Sequence, residues 1–245
     1  MTLKALISDG DGVVFNSEIL YLEIALEFFR ERGWEDFGPK DYDRLIFGKS
    51  PADFRKLADE EHRRRFGTGL SVSFVDEYNA AHANRDDFFR RLEPVAGIPG
   101  VYEALACPLG FASNSGRAKV LRKFEATNTS HLFEPQHIHT STDIPADRGK
   151  PEPDLFLLAS RQLLTSPEEC VSVEDSPSGA LAARRAGTHV AGFIGACHRS
   201  GEHADELLAN GAHVIIEDDE HLGEYLENLG LNDPTHALRG PSPWV

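Results

Sequence analysis

Cysteine is scarce in this chain: Cys107, Cys170 and Cys197 are the only three among 245 residues. The set is odd, widely spaced and without a C-x-x-C pair, which excludes a disulfide framework and a thiolate zinc site and fits a reducing cytoplasm. Positive charge is also short, with 25 Lys plus Arg against 40 Asp plus Glu and a formal net charge of -15. Such a field repels DNA, RNA and anionic membrane surfaces, so neither nucleic acid nor membrane is expected as a partner, and an anionic substrate needs a local source of positive charge. Long hydrophobic runs are missing. The first apolar stretch is broken at Asp9, too early for a signal-peptide core or a membrane span, so the expectation is a chain neither exported nor embedded. The glycines of "DGDG" lack a third at the dinucleotide spacing, where Phe15 stands, and the nucleotide-cofactor fingerprint fails.

A hydrophobic fraction of 40% is enough for one sizeable α/β core with a smaller attachment. From residue 93 onward short β-branched runs alternate with helical patterns, as in βαβ units. The strands expected are residues 109–113, 137–140, 170–174, 190–193 and 213–216, with 3–8 as a sixth in the middle of the sheet. Residues 153–164 and 178–187 read as amphipathic helices, the second ending on Gly187. Residues 16–92 break the rhythm: three long helical patterns follow one another with no strand between them. The predicted fold is therefore α/β, a Rossmann-like doubly wound parallel sheet formed by 1–15 and 93–231. An all-helical domain, 16–92, is inserted after the first strand, and 232–245 forms a loosely ordered tail.

In open α/β sheets the functional crevice lies beyond the carboxyl ends of the strands. Asp9 and Asp11 follow the first strand, Ser113 and Asn114 the second, Lys150 precedes the helix at 153, and Glu174 with Asp175 closes the strand at 170. Carboxylates crowded on one edge repel one another unless a cation sits among them, and Mg2+ suits hard oxygen ligands and a phosphate. The chemistry suggested is attack of a carboxylate on phosphorus, hydrolysis of the aspartyl-phosphate by water, and proton transfer by the second aspartate.

The segments "DGDGVVFNSE", "ASNS", "GKPEPDLF" and "VEDSPSGALAARRAG", in this order and with a helical block between the first two, resemble the four motifs of the haloacid dehalogenase superfamily, in its branch with a helical cap. The resemblance implies Asp9 as nucleophile and Asp11 as acid/base and metal ligand through its carbonyl. It also implies Ser113 and Lys150 as phosphate-binding groups and Asp9, Glu174 and Asp175 as magnesium ligands. Asn114 and Ser115 are candidates for substrate contact, as are Glu18 and Lys49. Ser8 stands where the family often has Phe, and Asn16 where it often has Asp.

Within that family, dehalogenases and phosphonoacetaldehyde hydrolases lack the residue matching Asp11, so the resemblance implies cleavage or transfer of a P–O bond. A β-phosphoglucomutase-like phosphomutase shares the motifs, but its cap arginine and cap histidine have no evident counterparts here. A phosphatase acting on a small phosphorylated metabolite such as a sugar phosphate, as monomer or homodimer, is the expectation, with a non-catalytic phospho-ligand binder as a further alternative. A closing helical cap would exclude large polymers. Among the remaining features, Asn128-Thr129-Ser130 reads as a polar turn. His137 and His139 read as exposed imidazoles on a half-buried strand, and Asp218-Asp219-Glu220 as a helix start. "HRSGEH" reads as a loop and helix start in which Arg199 or His203 could assist a partner contact.

Overall fold

Leu6 and Ile7 are fully buried, and each such side chain contributes roughly 1.5–3 kcal/mol through burial. They belong to β1 (Ala5–Ser8), the strand around which the sheet is built. The computed structural model describes residues 3–47, 51–83, 85–197 and 200–232. The sheet continues with β2 (Leu109–Ser113), β3 (Ile138–Thr140), β4 (Cys170–Glu174), β5 (His189–Phe193) and β6 (Val214–Ile216). All pairings are parallel, in the order β3-β2-β1-β4-β5-β6. Ser8 lies in register with Phe111 of β2 and Val173 of β4, so the carboxyl ends of three adjacent strands come to one edge. Strand order reverses beside β1, which is where an open sheet forms its crevice.

The helices are α1 (Ser17–Arg30), α2 (Pro39–Leu45), α3 (Pro51–Phe66), α4 (Phe74–Ala83), α5 (Arg85–Arg91), α6 (Ile98–Glu103), α7 (Arg117–Thr127), α8 (Asp154–Gln162), α9 (Pro177–Ala186), α10 (Ser200–Ala209) and α11 (Asp219–Asn228). Among the described residues no helix is long and apolar enough to cross a membrane. The chain divides into two compact units, one comprising residues up to Glu18 with those from Leu92 onward, the other Ile19–Arg91. Residues 16–18 and Leu92, read as part of the helical block, thus group with the sheet. The reason is visible in the hydrogen bonds: the Asn16 N–H donates to the Glu93 carbonyl at 3.0 Å, and the Ser17 hydroxyl donates to Asp11.

In the sheet unit, Ile7, Ala112, Leu155, Phe156, Ala159, Ala180 and Ala183 form one buried cluster. Gly179 of α9 stands so close to the end of β4 that a Cβ there would lie 1.9 Å from the Glu174 carboxylate. Local chemistry sets this helix's ends: the Ser176 hydroxyl accepts the Gly179 N–H at 3.1 Å, Pro177 occupies the first turn, and Gly187 closes the helix at φ 93°. Asn128 ends α7 at φ 53°, consistent with a polar turn at the sequon. Asp218 caps α11 by accepting the His221 N–H, as expected for the acidic run there.

The helical unit is organised on aromatic rings. Phe29 stacks on Phe37 with centroids 4.0 Å apart, and Trp34, Phe28, Phe74 and Tyr78 meet Phe29 edge-on or tilted. The short helix α2, not anticipated from sequence, starts on Pro39 and buries Tyr42 and Leu45 in the same cluster. The two histidines near β3 depart from the expectation of exposed imidazoles on a strand. His137 ends a 3-10 turn ahead of β3, and His139 is buried, with burial pushing its imidazole below the ordinary value. The tail from residue 233 lies outside the described residues.

Candidate active site

Beyond β1 the chain turns sharply. The Gly10 carbonyl accepts the N–H groups of Val14 and Phe15 at 2.9 and 2.8 Å, and the Gly12 N–H donates to the Phe15 carbonyl at 2.9 Å. Gly12 has φ 76°, and a Cβ placed there would lie 1.9 Å from the Asp175 carboxylate, so conformation and close approach both demand glycine. The turn places Asp9 in the crevice and fixes it to β4 through its N–H, which donates to the Val173 carbonyl at 2.9 Å.

Lys150 joins the edge from the loop before α8. Its ammonium contacts Asp9 Oδ1 and donates to Glu174 Oε1 at 2.6 Å and to the Ala112 carbonyl at 2.8 Å. Burial works against the charge of Lys150, but Asp9 and Glu174 outweigh it and hold the ammonium above its ordinary value. The loop is itself pinned by Asn114, whose Oδ1 accepts the Lys150 N–H at 2.8 Å and whose amide donates to the Lys150 carbonyl at 3.1 Å. Asn114, a candidate for substrate contact, therefore spends its amide on the Lys150 backbone. Ser113 is buried at the end of β2 and accepts the Ser115 N–H at 3.1 Å.

Asp11 is served by three donors. Lys123 Nζ and the Ser17 hydroxyl both meet Oδ1, and the Ser115 hydroxyl donates to Oδ2 at 3.2 Å. Burial pushes its carboxyl up, but Lys123 and Ser17 bring it below the usual range. Ser115 thus touches the second aspartate. Sequence reasoning missed Lys123, although a signal was present: with Val120, Phe124 and Thr127 it lies on the buried face of an amphipathic helix, where a lysine needs a partner.

The remaining carboxylates behave differently. Asp9, Glu174 and Asp175 each offer an oxygen within 4.8 Å of the other two. Burial raises the Asp9 carboxyl against the pull of Lys150. Burial also lifts Glu174 to about 7, with Lys150 opposing and Asp9 reinforcing. Asp175 stands well above the carboxylate range, through burial and then the charges of Asp9, Glu18, Glu174 and Asp11. Glu18, on the first turn of α1, is raised to about 7 by burial and by Asp11. Three hard, converging and mutually repelling oxygen donors fit a divalent cation such as magnesium. The carboxylate of Asp11 stands outside that triad, bound to its own donors. Lys49 lies outside the described residues.

His203, read as a helix-start residue available to a partner, is instead buried and donates from Nε2 to the Asp175 carbonyl. It supports the turn that carries a ligand candidate. Arg199 lies outside the described residues.

Comparison with known proteins bears on this arrangement. Residues 6–193 match the family model described as haloacid dehalogenase-like hydrolase. The protein named "Putative phosphatase YhcW" of Bacillus subtilis (strain 168) is 31% identical over 76% of this chain and 80% of its own length. The 6-phosphogluconate phosphatase of Escherichia coli (strain K12) is 26% identical over 80% of this chain and 85% of its own. The Beta-phosphoglucomutase of Bacillus subtilis (strain 168) is 31% identical over 78% and 83%. A HAD family hydrolase of Deinococcus radiodurans R1, solved with bound phosphate and sodium, superposes with a TM-score of 0.81 at 25% identity, covering 95% of this chain and 98% of that one. With three carboxylates and a lysine converging at the strand ends, and with the family match spanning most of the sheet unit, this chain belongs to the haloacid dehalogenase-like hydrolases.

Proposed function

We propose that this protein is a magnesium-dependent phosphatase that hydrolyses a small phosphorylated metabolite, a sugar phosphate or sugar-acid phosphate, through an aspartyl-phosphate on Asp9. The observation that carries this reading is the pair of carboxylates two residues apart in different surroundings. Asp9 meets Lys150 within the converging triad, and Asp11 is held apart from that triad by hydroxyl and ammonium donors. Two carboxyl groups with separated environments are what nucleophile and acid/base require.

In this reading a carboxylate oxygen of Asp9 attacks phosphorus and the ester P–O bond breaks, while Asp11 in its acid form gives its proton to the departing alkoxide. Asp11, now the carboxylate that its donors favour, takes a proton from water as that water cleaves the acyl phosphate, which restores Asp9 and releases inorganic phosphate. Lys150 and the Ser113 hydroxyl supply positive charge and a hydrogen bond to the phosphoryl oxygens. Asp9, Glu174 and Asp175 would hold magnesium, which when bound neutralises phosphoryl charge. Small, phosphorylated carbohydrate-like substrates are supported by the 6-phosphogluconate phosphatase among the relatives. Three free cysteines support a reducing cytoplasm as the compartment.

The test is phosphate release from a panel of sugar phosphates and other small esters, with magnesium and with EDTA, for the wild type and Asp9→Asn. Magnesium-dependent release in the wild type alone is the expected result. Isomerised sugar phosphate without release would make the protein a mutase, and binding without turnover would make it a phospho-ligand binder.

A further inference from the structure

Lys123 is a buried charged group of the sheet unit, paired with Asp11. Its side chain is fully buried on α7, and its ammonium lies 5.6 Å from the ring centroid of Phe15. Phe15, Phe111 and Phe124 pack together there, with centroids 4.9 to 6.0 Å apart. A methionine would fill such an apolar slot with no ion to desolvate, whereas a buried ammonium is costly unless it is paired. Its salt-bridge partner is Asp11, met at the same oxygen that receives the Ser17 hydroxyl, while Ser115 holds the other oxygen. Donors from α1, from α7 and from the turn after β2 therefore fix one carboxylate from three directions. The ammonium favours the ionised form of Asp11, so what it can add to proton transfer is place: the acid must lie within hydrogen-bond reach of the leaving oxygen, and these three donors set where the carboxyl stands.

We propose that Lys123 is a positioning residue for the proton transfer performed by Asp11, an inference that rests on the phosphatase reading. The consequence is selective. An alkoxide cannot leave readily without a proton, whereas p-nitrophenolate can. A residue that acts through Asp11 therefore matters for alkyl phosphates and little for p-nitrophenyl phosphate, while a residue that only supports the fold affects both alike. The parameter to compare is kcat/KM, which covers the steps through departure of the alcohol or phenol and leaves out the later water step.

The experiment measures kcat/KM on a sugar phosphate from the panel and on p-nitrophenyl phosphate, with magnesium, for the wild type, Lys123→Met and Lys123→Gln. In Lys123→Met the sugar phosphate is expected to lose about 10- to 100-fold more than the aryl ester. Lys123→Gln keeps a donor without the charge and is expected to fall between; it also serves where the methionine variant fails to fold, since retained aryl-ester turnover reports a folded site. Equal losses on the two esters, no loss on either, or a gain on the sugar phosphate would overturn the inference while leaving the phosphatase reading intact. A wild type that turns over neither ester removes the phosphatase reading, and the inference with it.

Discussion

Lys150 is the cation on which the candidate nucleophile depends, since Asp9 and Glu174 are both buried and both lie against it. Replacement by methionine leaves two carboxyl groups in a dry site with no fixed counter-charge, and both then favour the protonated, non-nucleophilic form. Lys150→Met is expected to lower kcat/KM by about 10²-fold or more and to move the acidic limb of the pH–rate profile upward. A profile unchanged in position would show that Lys150 does not govern ionisation of Asp9. At this scale much of the site was legible, because Asp9, Asp11, Ser113, Lys150, Glu174 and Asp175 all stand at strand ends or in the loop facing them. Lys123 and His203 were not, because their partners lie 112 and 28 residues away in sequence and no periodicity names a partner. Asn114 lies at a legible position, yet its two hydrogen bonds to Lys150 span 36 residues and depend on the folded loop.

The six strands were legible as elements because buried parallel strands are almost uninterruptedly apolar, and β1 and β4 are buried at every position. The short helices α2 and α6, of 7 and 6 residues, were not, since so few turns carry little periodic signal and their order comes from tertiary burial of Tyr42, Leu45, Ile98 and Tyr102. On α3 a polar feature is equally tertiary. Glu61 is buried and meets Arg65 Nε at 2.6 Å, Arg44 at 3.2 Å, and Arg64. Hydrogen bonding from Arg64 holds its carboxyl down at about 2 against its burial, with Arg65 and Arg44 adding to the effect. A depressed folded-state value means that the stabilisation is present above the unfolded value of 4.5 and is lost as pH falls toward 2. Glu61→Gln is expected to cost roughly 1–3 kcal/mol at neutral pH and to flatten the acid limb of unfolding, as followed by circular dichroism. An acid limb identical to that of the wild type would place the titration elsewhere.

Across the molecule the excess of acid is general, with a net charge of -15, but its energetic consequence concentrates in the sheet unit. Glu18 and Glu174 each stand at about 7 from an ordinary 4.5, and burial is the first cause in both. A carboxyl raised in the folded state binds its proton more tightly there than when unfolded. In metal-free protein these two groups therefore cost no stability below 4.5, and the cost grows as pH rises from 4.5 to about 7. A divalent cation bound by Asp9, Glu174 and Asp175 would offset that cost, and it would do so most where the carboxylates are ionised. Magnesium at a hundredfold excess over its dissociation constant should add about 2.7 kcal/mol to folding stability. The gap in Tm between magnesium-loaded and EDTA-treated protein should widen steadily between pH 5 and pH 7.5. In Asp175→Asn, which removes one ligand and one repelling charge together, the metal-free protein should be more stable than the wild type at neutral pH and should respond less to magnesium. A magnesium shift in Tm that is the same at both pH values, or that survives undiminished in Asp175→Asn, would mean that the cation binds somewhere other than these three carboxylates.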